Sequence, residues 1–247
     1  MTGTQSAVSI WFDKFKKEFA LNFIKGAKWK WLVNGLSVTI QIAVAAVVIG
    51  IVLGALVAVV RTSYEGNKEE LQGFKGAMLK FGNGLCSFYL TVIRGTPVVV
   101  QLMIMYYIIF ASSTNGQLIA TVSFGINSGA YVAEIFRSGI SSVEKGQFEA
   151  GRSLGMNYVQ TMWYIIIPQA IKNCLPALAN EFITLLKETS VAGYVTITDL
   201  TRAGDLIRGN TFSPFMPLFA VAIIYLVMVV ILTHFVGILE KRLRKGD

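Results

Sequence analysis

The sequence has 247 residues, of which 54% are hydrophobic and only 15% charged, whereas about a quarter are charged in an average soluble domain. This composition predicts an all-α integral membrane protein with room for about five transmembrane helices and little chain left for a soluble domain. The net charge of +8 would suit a nucleic-acid binder, but the positive residues flank apolar runs, which indicates anchoring at the membrane edge instead.

Residues 1–31 are expected to form an interfacial amphipathic segment ahead of the first span. Phe12, Phe15, Phe19 and Phe23 recur at helical spacing, and most of the six lysines of this segment fall on other faces. An amphipathic helix of this kind lies on the bilayer surface. A plain solvated helix is the alternative.

Residues 32–240 are predicted to form the transmembrane domain. Its first span, Leu32 to Val60, contains no charged residue and, at about 1.5 Å per residue, exceeds a hydrocarbon core of about 30 Å. Small residues clear one face of this helix at every fourth position, which predicts close packing inside the domain: Ala46, Gly50, Gly54 and Ala58.

Two more spans are predicted from the charge-free stretch Gly95 to Ala133. A polar break at 112–116 fits a tight turn between two helices, because the stretch is too long for a single span. The charged, glycine-rich stretch Arg61 to Lys80 is expected to be a solvent-side connection. Pro214 to Leu239 forms the last span, followed by a basic tail at 241–247.

The stretch Pro168 to Tyr194 is predicted to be the fourth of five spans, although it carries three charged residues. As a helix it would align four residues on one stripe: Ala177, Glu181, Thr184 and Glu188. Because ionisable groups at membrane depth are costly and usually face water or a partner, we predict substrate contact at Glu181, Thr184, Glu188, Thr189 and Ser190. Two alternatives stay open: the helix ends early in a solvated loop, or the glutamates pair internally with Lys187 or another span.

The positive-inside rule gives the expected orientation. It places the basic tail in the cytoplasm, and counting back puts 134–172 and 61–94 inside and the turn at 112–116 outside. The amino terminus then falls outside despite its lysines. An interfacial helix softens that conflict without removing it.

A short polar segment stands between two predicted spans, inside the cytoplasmic loop at about 140–168. Residues 147–154 can form about two helical turns, with Gly155 as a natural stop. Glu149 lies in the first turn, where a negative charge suits the helix dipole, and the two small residues after it leave a bare surface for a partner. Since no nucleophile–base pair is present, the segment suits the transmission of force rather than catalysis. Cys86, Cys174 and the single histidine are scattered, so no metal site and no catalytic residue is expected either.

Several motifs resemble the permease subunits of polar amino-acid importers of the ATP-binding-cassette (ABC) class. Four of them occur in order: Arg94-Gly-Thr-Pro-Val-Val-Val-Gln101, Ala130-Tyr-Val-Ala-Glu-Ile-Phe-Arg137, Gly146-Gln-Phe-Glu-Ala150 and Asn180-Glu-Phe-Ile-Thr-Leu-Leu-Lys-Glu-Thr-Ser190. The Glu-Ala-Gly at 149–151, followed by Gly155 and Pro168, resembles the EAA loop of such permeases. The resemblance runs from about Asn34 to Leu243.

This resemblance implies a type I ABC importer permease fold in a bacterial cell membrane, working by alternating access. It implies as partners two cytoplasmic ATPase subunits, an extracytoplasmic amino-acid-binding protein and a second permease, either identical or closely related. The implied ATPase-coupling residues are Gly146, Gln147, Glu149, Ala150, Gly151, Leu154 and Gly155. The sequence contains no GxxxxGK[ST] phosphate loop, so ATP and Mg²⁺ are expected on the partner and no cofactor on this chain.

Two positions depart from the family pattern. Gly151 stands where alanine is usual and should loosen the helix by up to about 1 kcal/mol, and Ile167 stands where leucine is usual. The alternative function is an ion-coupled secondary amino-acid transporter. It would also place carboxylates at membrane depth, but it usually needs more spans or inverted repeats.

Overall fold

Residues 7–66 and 73–244 are described by the structure, a computed structural model, and every element in these ranges is a helix. The first half of the chain contains α1 Ala7–Phe19, α2 Trp29–Gly66, α3 Gly73–Gly95, α4 Val98–Ile104 and α5 Gly116–Ser141. The second half contains α6 Lys145–Ser153, α7 Tyr158–Thr161, α8 Ile167–Glu188, α9 Leu200–Thr211 and α10 Met216–Arg244. Parts of the predicted amino-terminal segment, of the 61–80 connection and of the basic tail lie outside the described residues.

Short irregular helices extend or join several of these elements. π-helical turns follow α1, α4 and α7 at Ala20–Ile24, Met105–Ile109 and Met162–Ile166, and a 3₁₀ helix, Thr189–Val195, continues α8. The predicted span from Pro168 therefore ends as an α-helix at Glu188. The last helix runs further than expected, since residues 241–244 of the predicted tail are its final turn.

Three of the described helices, α2, α5 and α10, are long and apolar enough to cross a membrane. The pair formed by α3 and the stretch Val98–Ile109 meets the same test jointly, with a bend of 110° between its halves. α8 does not meet it, in line with the charged residues noted in the sequence. The first, third and last predicted spans are therefore present as long apolar helices, the second is replaced by a bent pair of helices, and the fourth, α8, is a helix that does not meet this test.

The second predicted span was wrong in its bounds. We expected a solvent-side connection up to Lys80 and a helix from Gly95, but α2 continues to Gly66 and α3 begins at Gly73. The stretch 98–109 is too short to cross a bilayer, at about 18 Å for twelve residues. The glycines and charged residues near 61–80 suggested a loop. The prediction failed because a helix that packs against its neighbours tolerates both residue types.

One side chain bridges the break in this span. The amide of Gln101 donates to the carbonyl oxygens of Ile93 at 2.7 Å and Thr96 at 3.0 Å, which the break leaves without helical partners. Its own oxygen accepts a hydrogen bond from Asn127 at 2.9 Å. The break is therefore fixed to α5, because polar backbone groups at membrane depth need a partner.

α2 and α5 form the closest helix pair. A Cβ added to Gly50 would lie 2.8 Å from Ser128 Oγ, and one added to Gly54 would lie 2.6 Å from Val132 Cγ1. From the opposite side, a Cβ on Gly125 would lie 2.7 Å from Ile49. The small-residue face predicted for the first span is buried throughout, which confirms that it serves packing within the chain.

Replacing Gly54 by alanine tests this packing. Alanine raises helix propensity by about 1 kcal/mol, but the new methyl group would overlap a buried β-branched side chain, and overpacking costs typically about 1–3 kcal/mol. We expect a lower melting temperature for purified Gly54→Ala. Gly84→Ala is the matched control, because no atom of another described element lies within 4 Å of a Cβ there. Equal melting temperatures for the two variants would show that the Gly54 contact between α2 and α5 does not limit stability.

Candidate functional site

α6 occupies the predicted polar segment and ends as predicted. Gly155 has φ +80°, a left-handed conformation that favours glycine. The N–H of Gly155 donates to the carbonyl of Arg152 at 2.9 Å, and the N–H of Met156 donates to Gly151 at 3.1 Å. These two bonds are the Schellman stop of a helix, so the glycine sets where α6 ends.

α6 is held against the spans by its Gly151 side. Gly151 is buried, and a Cβ there would lie 2.7 Å from Thr161 Cγ2 and 3.1 Å from Ile165 Cδ1. Phe148 packs into a small apolar core formed with Val143, Met162 and residues near them. The interpretation of Gly151 as a loosening substitution was incomplete, because its missing methyl group is what lets α6 approach Thr161.

A second attachment joins this region to α2. The Tyr158 ring lies against Gly66 so closely that a Cβ on that glycine would overlap it, and the Tyr158 hydroxyl donates to the carbonyl of Thr62 at 3.3 Å. Asn157 and Gln160 form a capping box that fixes the start of α7. α6 therefore packs on α7, and α7 in turn is tied to the first span through Tyr158 and leads into α8.

The remaining predicted coupling residues lie on the outer face of α6 or just beyond it. Exposed positions are Gly146, Gln147, Glu149, Ala150, Leu154 and Gly155. Leu154 is 80% exposed, which is high for an apolar residue in a fixed helix cap. Such a surface fits a protein partner, whereas Gly151 faces inward and acts only within the chain.

A half-open cavity of about 720 Å³ lies between α5, α8, α10 and the end of α3. Ser142, Lys172 and Glu240 line it at the α6 end of the molecule, and Glu181 lines it about 13 Å further along α8. One turn beyond Glu181, a buried apolar cluster that includes Leu185, Leu102 and Phe124 fills the bundle. The cavity therefore extends from the α6 end of the bundle to the level of Glu181, and the apolar cluster lies beyond it.

Glu181 has a partner on another span. Its Oε1 accepts a hydrogen bond from Ser128 Oγ at 2.8 Å, across the α5–α8 contact. Ser128 also packs on Gly50, so the helix seam positions the hydroxyl that holds this carboxylate. Sequence reasoning missed Ser128; Asn127 and Ser128, two polar residues inside a charge-free span, were the available signal.

The other predicted substrate residues lie further along the same helix or beyond it. Thr184 is exposed, while Glu188 is half-buried and close enough to Glu181 for their charges to interact. Thr189 is fully buried and its hydroxyl donates to the Leu186 carbonyl at 2.7 Å; Ser190 is half-buried. The structure thus places Glu181 in the cavity lining, and substrate contact at all five positions stays a prediction.

An ion cluster stands at the wall of the cavity. Glu134 and Arg137 of α5 form an ion pair, and Arg94 joins it at 3.5 Å from the Glu134 carboxylate while its guanidinium lies over the Tyr131 ring. Arg94 thus links the broken span to α5. Within 7–66 and 73–244, no three His, Cys, Asp or Glu side chains are grouped to hold a metal.

The helices, the broken span and the exposed short helix between two spans define an importer permease. Residues 76–245 match the family described as binding-protein-dependent transport system inner membrane component. The chain belongs to this family. It is 34% identical to the arginine transport system permease protein of Bacillus subtilis, with 88% of this chain and 94% of that protein covered. It is also 34% identical to the glutamine transport system permease protein of Escherichia coli K12, with 86% and 93% covered.

Solved structures give the same assignment. The crystal structure titled as an amino acid ABC transporter with histidines superposes with a TM-score of 0.78 at 38% identity, covering 89% of this chain and 98% of that one. The MetNI methionine ABC transporter, in inward-facing conformations, shares the fold with a TM-score of 0.71 at 19% identity, over 87% and 97%. The predicted type I ABC importer permease fold is confirmed. The ion-coupled alternative is not the class that these similarities support.

Gly151→Ala tests how α6 is attached. Although alanine favours the helix and is usual in the family, the added methyl would meet a buried threonine, so we expect a lower melting temperature for the purified chain. Thr161→Ser removes the nearest opposing atom but keeps the hydroxyl oxygen, 2.9 Å from such a Cβ, so the double variant should recover part of the lost stability. If the effects of the two substitutions on the melting temperature simply add, the contact between residues 151 and 161 is not what disfavours alanine at position 151.

Proposed function

We propose that this chain is the permease subunit of an ATP-driven amino-acid importer in the bacterial cell membrane. The observation that carries the proposal is α6, a short helix with an exposed outer face and a defined end at Gly155. It packs on α7, which contacts α2 and leads into α8. The names of the B. subtilis and E. coli relatives suggest polar amino acids as substrates. A non-enzymatic role follows, because ATP and Mg²⁺ would be bound by the partner ATPase.

The two attachments of α6 suggest how force enters the membrane. When ATP closes the ATPase dimer, the outer face of α6 is displaced. Gly151 packed on Thr161 passes the displacement to α8, and Tyr158 packed on Gly66 passes it to α2. Because α2 packs closely against α5, and α5 and α8 both line the cavity, the helices on both sides of the cavity shift together. This shift moves the opening of the cavity from the α6 side to the opposite side.

The cavity supports a role in the transport path. Glu181 offers a carboxylate that can bind an α-ammonium or a cationic side chain. Asn180, Ala177 and Thr184 of the same helix are exposed, although they are near a charged group at membrane depth. Such a face needs water or a second protein, so we propose that a second permease, identical or closely related, completes the path.

The proposed orientation puts α6 and the end of α10 in the cytoplasm. Basic residues cluster at the α6 end, among them Arg137, Lys145, Arg152 and Lys241, as the positive-inside rule requires. The extracytoplasmic amino-acid-binding protein would then dock on the opposite end, where α9 and the 3₁₀ helix Thr189–Val195 lie.

Reconstitution with the cognate ATPase and binding protein tests the proposal. We expect uptake that needs ATP, whereas this chain alone with an ion gradient should give none. Gly155→Trp should insert normally but abolish uptake and the stimulation of ATPase activity by loaded binding protein, since the left-handed backbone and the contact face are both changed. Gly26→Trp is the matched control, because Gly26 also has positive φ with no described atom within 4 Å of a Cβ. Normal uptake by Gly155→Trp would refute the coupling assignment.

Glu181→Gln tests the transport path. Glutamine keeps an oxygen for Ser128 but loses the charge, and a hydrogen bond to a charged group is worth about 1.5–3 kcal/mol, so uptake kcat/KM should fall about tenfold or more. Glu188→Gln should have a smaller effect, because this residue lies outside the cavity lining. The readout is radiolabelled amino-acid uptake at equal ATPase coupling. Unchanged kinetics in both variants would leave the glutamates with internal roles only.

A further inference from the structure

The amino-terminal helix carries a continuous aromatic stripe. Trp11, Phe15, Phe19 and Phe23 stack in succession, with ring centroids 5.6, 6.5 and 5.1 Å apart. The first three are 63%, 43% and 45% exposed, whereas Phe23 is 8% exposed. The stripe therefore begins in the protein core and runs outward along α1 without being covered by the described chain.

The inner end of this stripe is fixed. Phe23 packs with Leu32, Leu200 and Ile207 in a core shared by α2 and α9. The neighbouring Asn22 is fully buried and accepts a hydrogen bond from Thr211 at 2.6 Å. These contacts set the rotation of α1 about its axis, so the direction in which its aromatic face points is determined by the folded domain.

The junction with the first span breaks the helix axis. Gly26 has φ +72° and Ala27 has φ +49°, and α2 begins two residues later at Trp29. α1 is therefore a separate helix, and the π-helical turn that extends it ends within a few residues of the start of a membrane-crossing helix. Exposed Trp29 and Trp31 mark that level as the bilayer interface, where tryptophan is enriched.

The charges lie on the other faces of α1. Lys14 and Lys17 are exposed and project away from the stripe, and Lys16 stands at its edge with its ammonium 4.7 Å from the Phe12 ring. Residues 7–31 hold six lysines against two acidic residues. An apolar stripe bordered by lysines fits a bilayer surface that carries negative headgroups.

We infer that α1 is a docking helix for anionic phospholipid, with Trp11, Phe15 and Phe19 among the upper acyl chains and its lysines against the headgroups. A second copy of the chain is a poorer occupant, because two such helices face to face would bring lysines of the same sign together. The inference is independent of the proposed transport function. It also accounts for six lysines at an amino terminus that the span count places outside.

The test uses the full chain in nanodiscs made from phosphatidylcholine alone or with phosphatidylglycerol added. The fluorescence difference between the chain and Trp11→Phe isolates Trp11 from the other tryptophans. We expect phosphatidylglycerol to lower acrylamide quenching of Trp11, and lipids brominated near the carbonyl to quench it more strongly than lipids brominated at the chain end. Lys14→Gln and Lys17→Gln should each shift α1 towards the detached state about fivefold, since a lysine near an anionic surface contributes about 1 kcal/mol.

Exposed lysines on α3 provide the matched control. Lys75→Gln and Lys80→Gln remove the same charge elsewhere and should leave Trp11 quenching unchanged. Equal acrylamide quenching with and without phosphatidylglycerol would overturn the inference. Cross-linking between Trp11→Cys chains, together with no quenching by brominated lipid, would overturn it in favour of a contact between two copies.

Discussion

The close approach of α2 and α5 is the contact on which the other features depend. It exists because Gly50 and Gly54 of α2 lie directly against Ser128 and Val132, and Gly125 of α5 lies against Ile49, with no Cβ atoms in between. Association in a bilayer gains little from the hydrophobic effect, so such packing has to come from shape. The contact between α2 and α5 fixes α5, and α5 in turn holds the broken span through Asn127 and the Glu181 carboxylate through Ser128.

The proposed coupling segment gains its rigidity from the same device. Glycine at 151 allows α6 to touch Thr161, and glycine at 66 allows the Tyr158 ring to lie against α2. In the proposed mechanism, a displacement of α6 passes through Thr161 into α7 and α8, and through Tyr158 of α7 into α2. The left-handed Gly155 then ends α6 at a defined position, so its exposed face is presented in one orientation.

Charge is distributed according to the cost of placing it in a membrane. Arg94 and Arg137 share the Glu134 carboxylate at the cavity wall near the α6 end, so one of the two positive charges is offset there. Glu181 lies deeper along α8, with a hydroxyl as its hydrogen-bond donor and Glu188 close enough for the two charges to interact. In the proposed transport path, the Glu181 carboxylate is the group that binds an incoming ammonium.

Local patterns in the sequence were enough for the membrane class, the small-residue face of α2, the α6 helix and its stop at Gly155, because each depends on periodicity or backbone preference over a few residues. Only the tertiary structure revealed why residue 151 is glycine, since the reason is Thr161 on a separate helix. The same holds for the 110° bend, which is stabilised by Gln101 and Asn127, and for the Glu181–Ser128 bond between residues 53 positions apart. Contacts of this kind are set by how helices pack, and helical periodicity alone does not specify which faces meet.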